Sequence, residues 1–445
     1  MPVRVVPGTD FSYHLIAFDE KGAERPEGGV LTSREAASTI ATQPVTDVVL
    51  LSHGWNGDIP AAISQYDRWI GAMLNCEAGR QRAADAVPGF RALVVGLHWP
   101  SKAWGDEELG AASYAVGTDD VGGGATVEEL ISDYAFRLGD APATRAAVRT
   151  VVESALENIA PDRLPPQVVA AYRTVDNEAG LAQSGAGAAP GDDREPFDPE
   201  ETYQSALAED EFADFGQASL GGLLAPLRTL TFWSMKRRAR SFGEGGAHSL
   251  LGALQAAVPE DRRVRFHLVG HSFGCIVASA CVAGPPGQRT QLVDSLVLAQ
   301  GALSLWSYCS SIPAAPRRPG YFHQIVAQRL VRGPIITTQS VHDRAVGSFY
   351  PLGAAAAREV DFGAGELPKY GGLGTYGAKG PGVTVEELTI RPVSESYGFR
   401  PATVYNLDAS EVIKVGAGPS GAHSDICHPE VAHAAWEAIT SGVTR

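Results

Sequence analysis

Residues 264–280 read Val-Arg-Phe-His-Leu-Val-Gly-His-Ser-Phe-Gly-Cys-Ile-Val-Ala-Ser-Ala. The apolar run at the start of this stretch predicts a buried strand, and the small and apolar residues after Gly274 predict a helix. Between them, 270–274 has the pattern Gly-x-Ser-x-Gly, with Ser272 in the middle. In so sharp a turn, side chains at the two glycine positions would collide with the neighbouring strand and helix. The stretch therefore predicts a strand–turn–helix unit that exposes Ser272 at its tip.

The Gly-x-Ser-x-Gly pattern has two interpretations. In a chain with 50 glycines it can arise by chance, and Ser272 would then be an ordinary surface serine. The strand before it and the helix after it favour a nucleophilic serine held in a strained turn. A serine hydroxyl is a weak nucleophile, so this interpretation requires a base and a site for the developing oxyanion.

An acid that orients the base is expected between the serine and the histidine in the chain. Three strand-like runs follow the turn, over 295–303, 334–341 and 402–407. Asp343 comes just after the second run, and α/β folds place catalytic groups at the carboxyl ends of their strands. Asp294, which precedes the first run, and Asp408, which follows the third, are the alternatives. The position of Asp343 makes it the predicted acid.

The base is expected on the last loop of the chain. His423 ends a glycine-rich loop over 416–423, and a helix is predicted to begin near Pro429, a residue that suits the first helical position. His428 and His433 are the alternatives, but His428 looks like the residue before the helix and His433 falls inside it. His423 is therefore the predicted base.

The oxyanion is expected to bind two backbone N–H groups. One belongs to the residue after the nucleophile, Phe273, and the other comes from a loop after an earlier strand. The predicted strand 47–52 runs into such a loop, where Gly54 lets the backbone turn inward and Trp55 becomes the candidate donor. The alternative is an ordinary strand-to-helix turn in which Trp55 is a core residue.

Taken in this order, His53-Gly54-Trp55, 270–274, Asp343 and His423 resemble the α/β-hydrolase superfamily. The resemblance implies a fold of the α/β class, with a mostly parallel central sheet and helices on both faces. It implies that the serine, the acid and the base form a catalytic triad. It implies that neither a metal nor an organic cofactor is needed.

The substrate-binding residues expected from this arrangement are His53, Gly54, His271 and Trp99. Trp99 begins a Trp-Pro-Ser turn after a predicted strand at 92–97. This turn, 232–240 and the stretch around Asp343 look like a bacterial branch of lipase-like hydrolases, a likeness that implies no particular substrate. The resemblance covers about 45–100, 230–310 and 330–440.

Composition limits the class of protein and its partners. The chain has 445 residues, enough for one large domain with insertions or for two domains. Its formal net charge of −15 repels phosphates, so nucleic acid is not an expected partner. The five cysteines are an odd number without metal-type spacing.

The sequence also bears on the compartment. No apolar run is long enough to span a bilayer, and the first residues lack the hydrophobic region of a signal peptide. We therefore expect a reduced, cytoplasmic protein, with export by a route that needs no signal peptide as the alternative.

The spacing of the motifs predicts a core with a large insertion. The predicted core comprises 1–100 and 241–445. The insertion, 101–240, is expected to be a mostly helical cap, with helices at 127–137 and 144–159 and a flexible loop near 180–200. A second insertion, 345–400, is expected to be rich in loops.

Two segments need a separate interpretation. The apolar-then-basic stretch 220–240 is either a lid that touches lipid transiently or a packing helix with cations near its carboxyl end. The glycine-rich stretch 371–382 lacks the Gly-Lys-Ser/Thr ending of a phosphate loop. It is expected to be a surface loop.

Together these observations predict a serine hydrolase that cleaves a carboxylic ester of a small molecule or lipid through an acyl-enzyme. His423 would take the proton of Ser272, Asp343 would orient His423, and the N–H groups of Trp55 and Phe273 would bind the oxyanion. Amidase, thioesterase and acyltransferase reactions use the same triad and remain alternatives. A fourth alternative is a non-catalytic interaction protein that keeps the fold.

Overall fold

The computed structural model describes most of the chain and divides it into two compact units. The described residues are 3–55, 58–101, 126–158, 161–181, 194, 196–210, 221–288, 290–348, 367–416 and 420–441. The first unit comprises Met1–Ser101, Arg238–Ser348 and Lys369–Arg445, and the second comprises Lys102–Arg237 and Phe349–Pro368. Each unit is described separately below.

The first unit is built on a sheet with nine strands among the described residues. These are β1 Val3–Val5, β2 Ser12–Ala17, β3 Asp47–Ser52, β4 Ala92–His98, β5 Arg265–His271, β6 Ser295–Ala299, β7 Ile335–Gln339, β8 Val385–Thr389 and β9 Val404–Asp408. Their order is β1-β2-β4-β3-β5-β6-β7-β9-β8. Strand β1 pairs antiparallel to β2, and every other neighbouring pair is parallel. The predicted α/β class is thus confirmed.

The helices of the described residues are distributed over both units. They are α1 Thr32–Thr42, α2 Ile59–Asn75, α3 Glu77–Ala86, α4 Val127–Arg137, α5 Pro142–Glu157, α6 Pro166–Glu178, α7 Pro199–Asp210, α8 Gly221–Phe242, α9 His248–Ala256, α10 Gly274–Ala283, α11 His323–Ala327, α12 Arg344–Ser348, α13 Leu373–Tyr376 and α14 Pro429–Thr440. A π-helical turn, Gly243–Ala247, joins α8 to α9.

Helices cover both faces of the sheet, which explains why its central strands are almost continuously apolar. On one face, Val49, Val269 and Val297 belong to a core cluster with residues of α2, α3 and α14. Successive strand residues point to opposite faces. On the other face, where Leu50 and Leu268 are buried, α10 contacts β3, β5 and β6.

Parallel pairing brings the functional loops to one edge of the sheet. Strands β3, β5, β6, β7 and β9 are consecutive neighbours and run in the same direction. Their carboxyl ends therefore lie side by side. The segments that leave these ends carry His53, Ser272, Gln300, Asp343 and His423, so one edge holds the candidate residues.

Several predicted boundaries are confirmed, and two differ for identifiable reasons. The strand predicted over 47–52 has those bounds in the structure. The strand predicted over 295–303 ends at Ala299, because Gln300 adopts a left-handed backbone conformation with φ of +46°. The segment 345–400, expected to be loop-rich, also contributes the edge strand β8.

The second unit contains the predicted helices. Helix α4 has the predicted bounds and begins with a capping box formed by Thr126 and Glu129. Helix α5 begins two residues before the predicted Thr144, at Pro142 in the first helical position. A flexible loop is predicted near 180–200. Most of it, 182–193, lies outside the described residues.

The apolar-then-basic stretch forms α8, which passes from the second unit into the first. Its leucine, aromatic and methionine side chains are buried: Leu223, Leu224, Leu227, Leu230, Phe232, Trp233 and Met235. This burial matches the packing-helix interpretation of the stretch. Within the described ranges, no helix is both long enough and apolar enough to cross a membrane.

Candidate active site

Ser272 lies in the turn between β5 and α10, in a conformation that few side chains adopt. The prediction that the turn exposes Ser272 is wrong, because neighbouring segments cover it and its exposed fraction is 7%. Its φ is +57°, a left-handed value that costs about 1–3 kcal/mol for a residue with a side chain. A Cβ on Gly270 would overlap the backbone of Gly274, and a Cβ on Gly274 would overlap the carbonyl oxygen of Ser52. The expected collisions with strand and helix are thus confirmed.

The loop after β3 runs directly beside Ser272. A Cβ placed on Gly54 would lie 2.8 Å from Cβ of Ser272 and 3.2 Å from its Oγ. No side chain larger than hydrogen fits there without displacing Ser272. The backbone that follows Gly54 is therefore within reach of a group attached to the Ser272 hydroxyl.

Asp343 and His423 form a buried pair. Nδ1 of His423 donates to Oδ2 of Asp343 at 2.8 Å, and the Asp343 side chain is fully buried. Oδ1 of Asp343 accepts the backbone N–H of Val346 at 3.1 Å. Because the carboxylate occupies the Nδ1 side, the neutral imidazole of His423 carries its lone pair on Nε2, the nitrogen that can accept a proton.

The alternative acids have other partners. Asp294 accepts the backbone N–H of Phe266 at 2.9 Å and lies 3.6 Å from Arg332. Asp408 accepts the N–H and the hydroxyl of Ser410, two residues further on. Both carboxylates support local structure, and neither of them bonds to a candidate histidine.

The alternative bases are also engaged elsewhere. His428 lies at the start of α14, with Nε2 2.8 Å from Asp425. His433 lies inside α14, and its Nε2 donates to the carbonyl oxygen of Glu395 at 2.6 Å. Of the three candidate histidines, the structure joins His423 to the predicted acid.

The loop that carries His423 contacts the turn that carries Ser272. Nε2 of His271, the residue before Ser272, lies 3.0 Å from the carbonyl oxygen of His423. The centres of the two imidazole rings are 4.9 Å apart. The Ser272 hydroxyl itself makes no hydrogen bond to His423 among the described residues. In enzymes without bound substrate, the hydrogen bond between a nucleophile and its base is often long or poorly aligned.

The side chains of Trp55 and Phe273, the two residues predicted to bind the oxyanion through their backbone, are neighbours. The ring centres of Trp55 and Phe273 lie 5.9 Å apart with nearly parallel planes. Nδ1 of His53 donates to the carbonyl oxygen of Gly54 at 2.8 Å, which fixes the peptide plane between Gly54 and Trp55. The hydroxyl of Tyr66 accepts the backbone N–H of His53 at 2.9 Å. These contacts hold the loop in a defined conformation.

His53 and Trp99, predicted to bind substrate, lie beneath this loop and are fully buried. The indole N–H of Trp99 donates to the carbonyl oxygen of His53 at 3.0 Å, and the two rings stack with centres 5.7 Å apart. Burial, followed by the charge of His98, lowers the pKa of His53 to about 3. His53 is therefore a neutral hydrogen-bonding residue that supports the loop.

Gln300 is a contact of the acid that sequence reasoning missed. Its Nε2 donates to Oδ2 of Asp343 at 2.9 Å, and its Oε1 accepts the hydroxyl of Thr338 at 3.0 Å. Its position directly after β6, at the carboxyl edge of the sheet, is the signal from which a role in the site could be predicted. The apolar residues on both sides of this glutamine instead predict that it belongs to the strand.

The glycine-rich stretch 371–382 is only partly a surface loop, so that prediction was wrong for its first half. Residues 371–374 are buried and lead into α13. A Cβ on Gly374 would lie 3.1 Å from Oδ2 of Asp343. The glycine allows this backbone to pack against the acid.

A hydrogen-bonded serine–histidine–aspartate chain made of other residues lies inside the sheet. Nδ1 of His267 lies 2.8 Å from Oγ of Ser295, and Nε2 of His267 lies 3.0 Å from Oδ1 of Asp47. All three residues are fully buried near the amino ends of their strands. Arg265 also pairs with Asp47 at 2.6 Å. This arrangement is inaccessible to a substrate and serves as a buried polar network.

Other features of the first unit lie apart from the Asp343–His423 pair. A cavity of about 730 Å³ is lined by residues that include Trp69, Met73, Phe90 and Val94 and exclude all three triad candidates. In the described part of the chain, no group of three or more histidine, cysteine, aspartate or glutamate side chains is arranged to hold a metal ion.

Comparison with known proteins finds no relative of the chain. No family model, no curated protein and no solved structure matches the chain. The interpretation of the site therefore rests on its own residues: a serine in a strained turn, a buried acid–histidine pair, and a loop fixed beside the serine.

Proposed function

We propose that the chain is a serine hydrolase with the α/β-hydrolase fold that cleaves a carboxylic ester. The observation that carries the proposal is the buried Asp343–His423 pair, whose loop is bonded to the residue next to Ser272. The carboxylate fixes Nδ1–H on the imidazole, which leaves Nε2 as the base. The strained turn presents the hydroxyl at the carboxyl edge of the sheet.

The proposed reaction has two halves. In the first, Nε2 of His423 accepts the proton of Ser272 while Oγ attacks the carbonyl carbon of the ester. The resulting imidazolium is stabilised by the Asp343 carboxylate and then protonates the departing alkoxide. In the second half, water attacks the acyl-enzyme with His423 again as base, and the acid product leaves with Ser272 regenerated.

The backbone near Trp55 and Phe273 is proposed to bind the oxyanion. This region borders Ser272, and its loop is held by buried contacts before any substrate arrives. Donors that need no reorganisation during the reaction stabilise the developing charge most effectively, and each typically contributes about 3–4 kcal/mol. The rigid support from His53 and Trp99 favours such preorganisation.

The proposal is tested by treating the purified chain with a fluorophosphonate probe and locating the adduct by mass spectrometry. We expect labelling at Ser272, and we expect it to be absent from Ser272→Ala and strongly reduced in His423→Ala. Ser295→Ala is the matched control, because Ser295 bonds to His267 inside the sheet and is fully buried. It should be labelled like the wild type.

Failure of the folded wild-type chain to react, with and without added detergent, would contradict the proposal and favour a non-catalytic protein. If labelling succeeds, matched ester, thioester and amide substrates that share one acyl group define the bond that is cleaved. Para-nitrophenyl esters of increasing acyl length then measure the preferred acyl group, including the lipid-like chains.

We further propose that this activity is cytoplasmic. All five cysteines are free, and Cys76, Cys275, Cys281 and Cys309 are buried. Free thiols persist in reducing compartments. Cell fractionation with an antibody to the chain tests this proposal, and recovery mainly outside the cell would contradict it.

A further inference from the structure

His271 occupies a junction of three segments of the first unit. It is the last residue of β5 and precedes the nucleophile in the chain. Its Nε2 lies 3.0 Å from the carbonyl oxygen of His423. Its Nδ1 lies 2.9 Å from Nε2 of Gln65, on the helix α2 that follows the Gly54 loop. One imidazole thus connects the segments that carry the nucleophile, the base and the oxyanion loop.

The partners of His271 determine its tautomer. A carbonyl oxygen only accepts hydrogen bonds, so Nε2 of His271 must carry the proton that it donates to His423. Nδ1 then holds a lone pair, which matches the amide N–H of Gln65. Burial, followed by the charge of the neighbouring His423, lowers the pKa of His271 to about 3. The ring is therefore neutral, and each nitrogen has one fixed role.

The loop that carries His423 also bonds to the segment that carries Asp343. The backbone N–H of Ala422 donates to the carbonyl oxygen of His342 at 2.9 Å, and Asp343 holds the His423 ring. Among the described residues, the bond from His271 ties the backbone of His423 to the turn that carries Ser272. A change at this bond would therefore alter the distance between His423 and Ser272.

We propose that His271 is a positioning residue for the catalytic base, with Gln65 holding its tautomer. This inference rests on the proposed function. His271 was predicted to bind substrate, but its exposed fraction is 5% and both of its ring nitrogens are engaged within the protein. Its effect on the reaction is to place Nε2 of His423 within reach of the serine hydroxyl.

The test compares substitutions that differ in where they put a hydrogen-bond donor. In His271→Gln the side-chain N–H₂ is as many bonds from Cα as Nε2 of histidine, so it can reach the carbonyl of His423. In His271→Asn the amide is one bond shorter and replaces only Nδ1. His271→Phe keeps the ring and removes both polar groups.

The measured quantity is the second-order rate constant of fluorophosphonate labelling at Ser272, per folded molecule, across pH 5–9. We expect His271→Phe and His271→Asn to lower the plateau of this profile by about 10- to 100-fold, the effect of misplacing a catalytic group by about 1 Å. We expect His271→Gln to stay within about threefold of the wild type. The rate constant of Gln65→Leu should lie between that of His271→Gln and those of His271→Phe and His271→Asn.

Equal rate constants for His271→Phe and the wild type would overturn the positioning role while leaving the proposed function intact. Loss of folding in all three variants, with an unchanged rate for the folded fraction, would show a purely structural role. No labelling of the folded wild-type chain would overturn the proposed function, and this role with it.

A measurement that does not depend on turnover tests the same geometry. In a chain with ¹⁵N-labelled histidine, NMR reports which ring nitrogen of His271 carries hydrogen. We expect the Nε2–H form, with that proton protected from exchange. The Nδ1–H form would overturn the inference, because that tautomer cannot donate to His423.

Discussion

Oδ2 of Asp343 lies 2.8 Å from Nδ1 of His423, although 80 residues separate them in the chain. The same oxygen accepts Nε2–H of Gln300, and the other carboxylate oxygen accepts the N–H of Val346. These bonds satisfy the buried carboxylate and fix its plane. The pair is therefore held in one arrangement before any substrate arrives.

Asp343→Asn tests the role of this carboxylate. An asparagine of the same shape offers an amide that cannot stabilise an imidazolium and favours the wrong tautomer of His423. We expect the rate constant of ester hydrolysis to fall by about 10⁴-fold. The free energy of unfolding should fall by about 1–3 kcal/mol, because one amide oxygen cannot accept both the bond from Gln300 and the bond from Val346. Asp408→Asn is the matched control, because the carboxylate of Asp408 bonds only to Ser410 among the described residues. A comparable loss in the control would contradict the assignment of Asp343.

Gln300→Leu tests the contact that supports the acid. The substitution removes the bond to Asp343 and leaves the hydroxyl of Thr338 without its acceptor. We expect the free energy of unfolding to fall by about 1–3 kcal/mol, as measured in urea, together with a slower labelling of Ser272. Thr338→Val removes the neighbouring bond without touching Asp343. It should lower stability while changing the labelling rate much less.

The strands and the order of the candidate residues could be predicted because they follow from local pattern. Apolar runs such as 47–52 identify buried strands, and the Gly-x-Ser-x-Gly pattern of the turn spans five consecutive residues, although Gly274 itself packs against Ser52 of β3. Asp343 could be placed because a parallel strand ends just before it. Each of these inferences uses a signal carried by neighbouring residues.

The remaining contacts of the site depend on packing between distant segments. Gln300 reaches Asp343 because its own backbone turns into the left-handed region, which no apolar pattern encodes. The sequence around Gly374 predicts a surface loop, because glycine-rich sequence is typical of loops. The role of His53 depends on its contact with Trp99, which follows the next strand, and no local pattern encodes that contact.

The stability of the chain should fall in mild acid. His53 and His271 have their pKa lowered to about 3 by burial, whereas a histidine in the unfolded chain titrates near 6.5. The unfolded state therefore binds more protons below pH 6.5. The stabilisation from keeping each ring neutral is present above that pH and is lost progressively as the pH falls towards 3.

Each such histidine adds about 1.4 kcal/mol per pH unit to the dependence of the unfolding free energy on pH. We expect urea unfolding at pH 6.5, 6.0, 5.5 and 5.0 to show this decline before the carboxylates titrate. Because glutamine does not ionise, His271→Gln should reduce the slope of unfolding free energy against pH by about 1.4 kcal/mol per pH unit. An identical slope in both proteins would show that His271 is not kept neutral.

Gly54→Ala tests whether the loop after β3 must approach the nucleophile closely. A Cβ at this position would lie 2.8 Å from Cβ of Ser272 and 3.2 Å from its hydroxyl oxygen, so either the serine or the oxyanion loop must move. A displacement of about 1 Å at a catalytic group costs on the order of 100-fold in rate. We therefore expect labelling of Ser272 to slow by at least this factor.

Gly71→Ala is the matched control for the same change of side chain. Gly71 lies in α2, and a Cβ there meets no atom within 4 Å. Alanine is preferred over glycine inside a helix by about 1 kcal/mol, so this variant should be slightly more stable and should react at the wild-type rate. If Gly54→Ala also reacted at that rate, the backbone beside Ser272 would not bind the oxyanion, and the donors would have to be sought elsewhere along the carboxyl edge of the sheet.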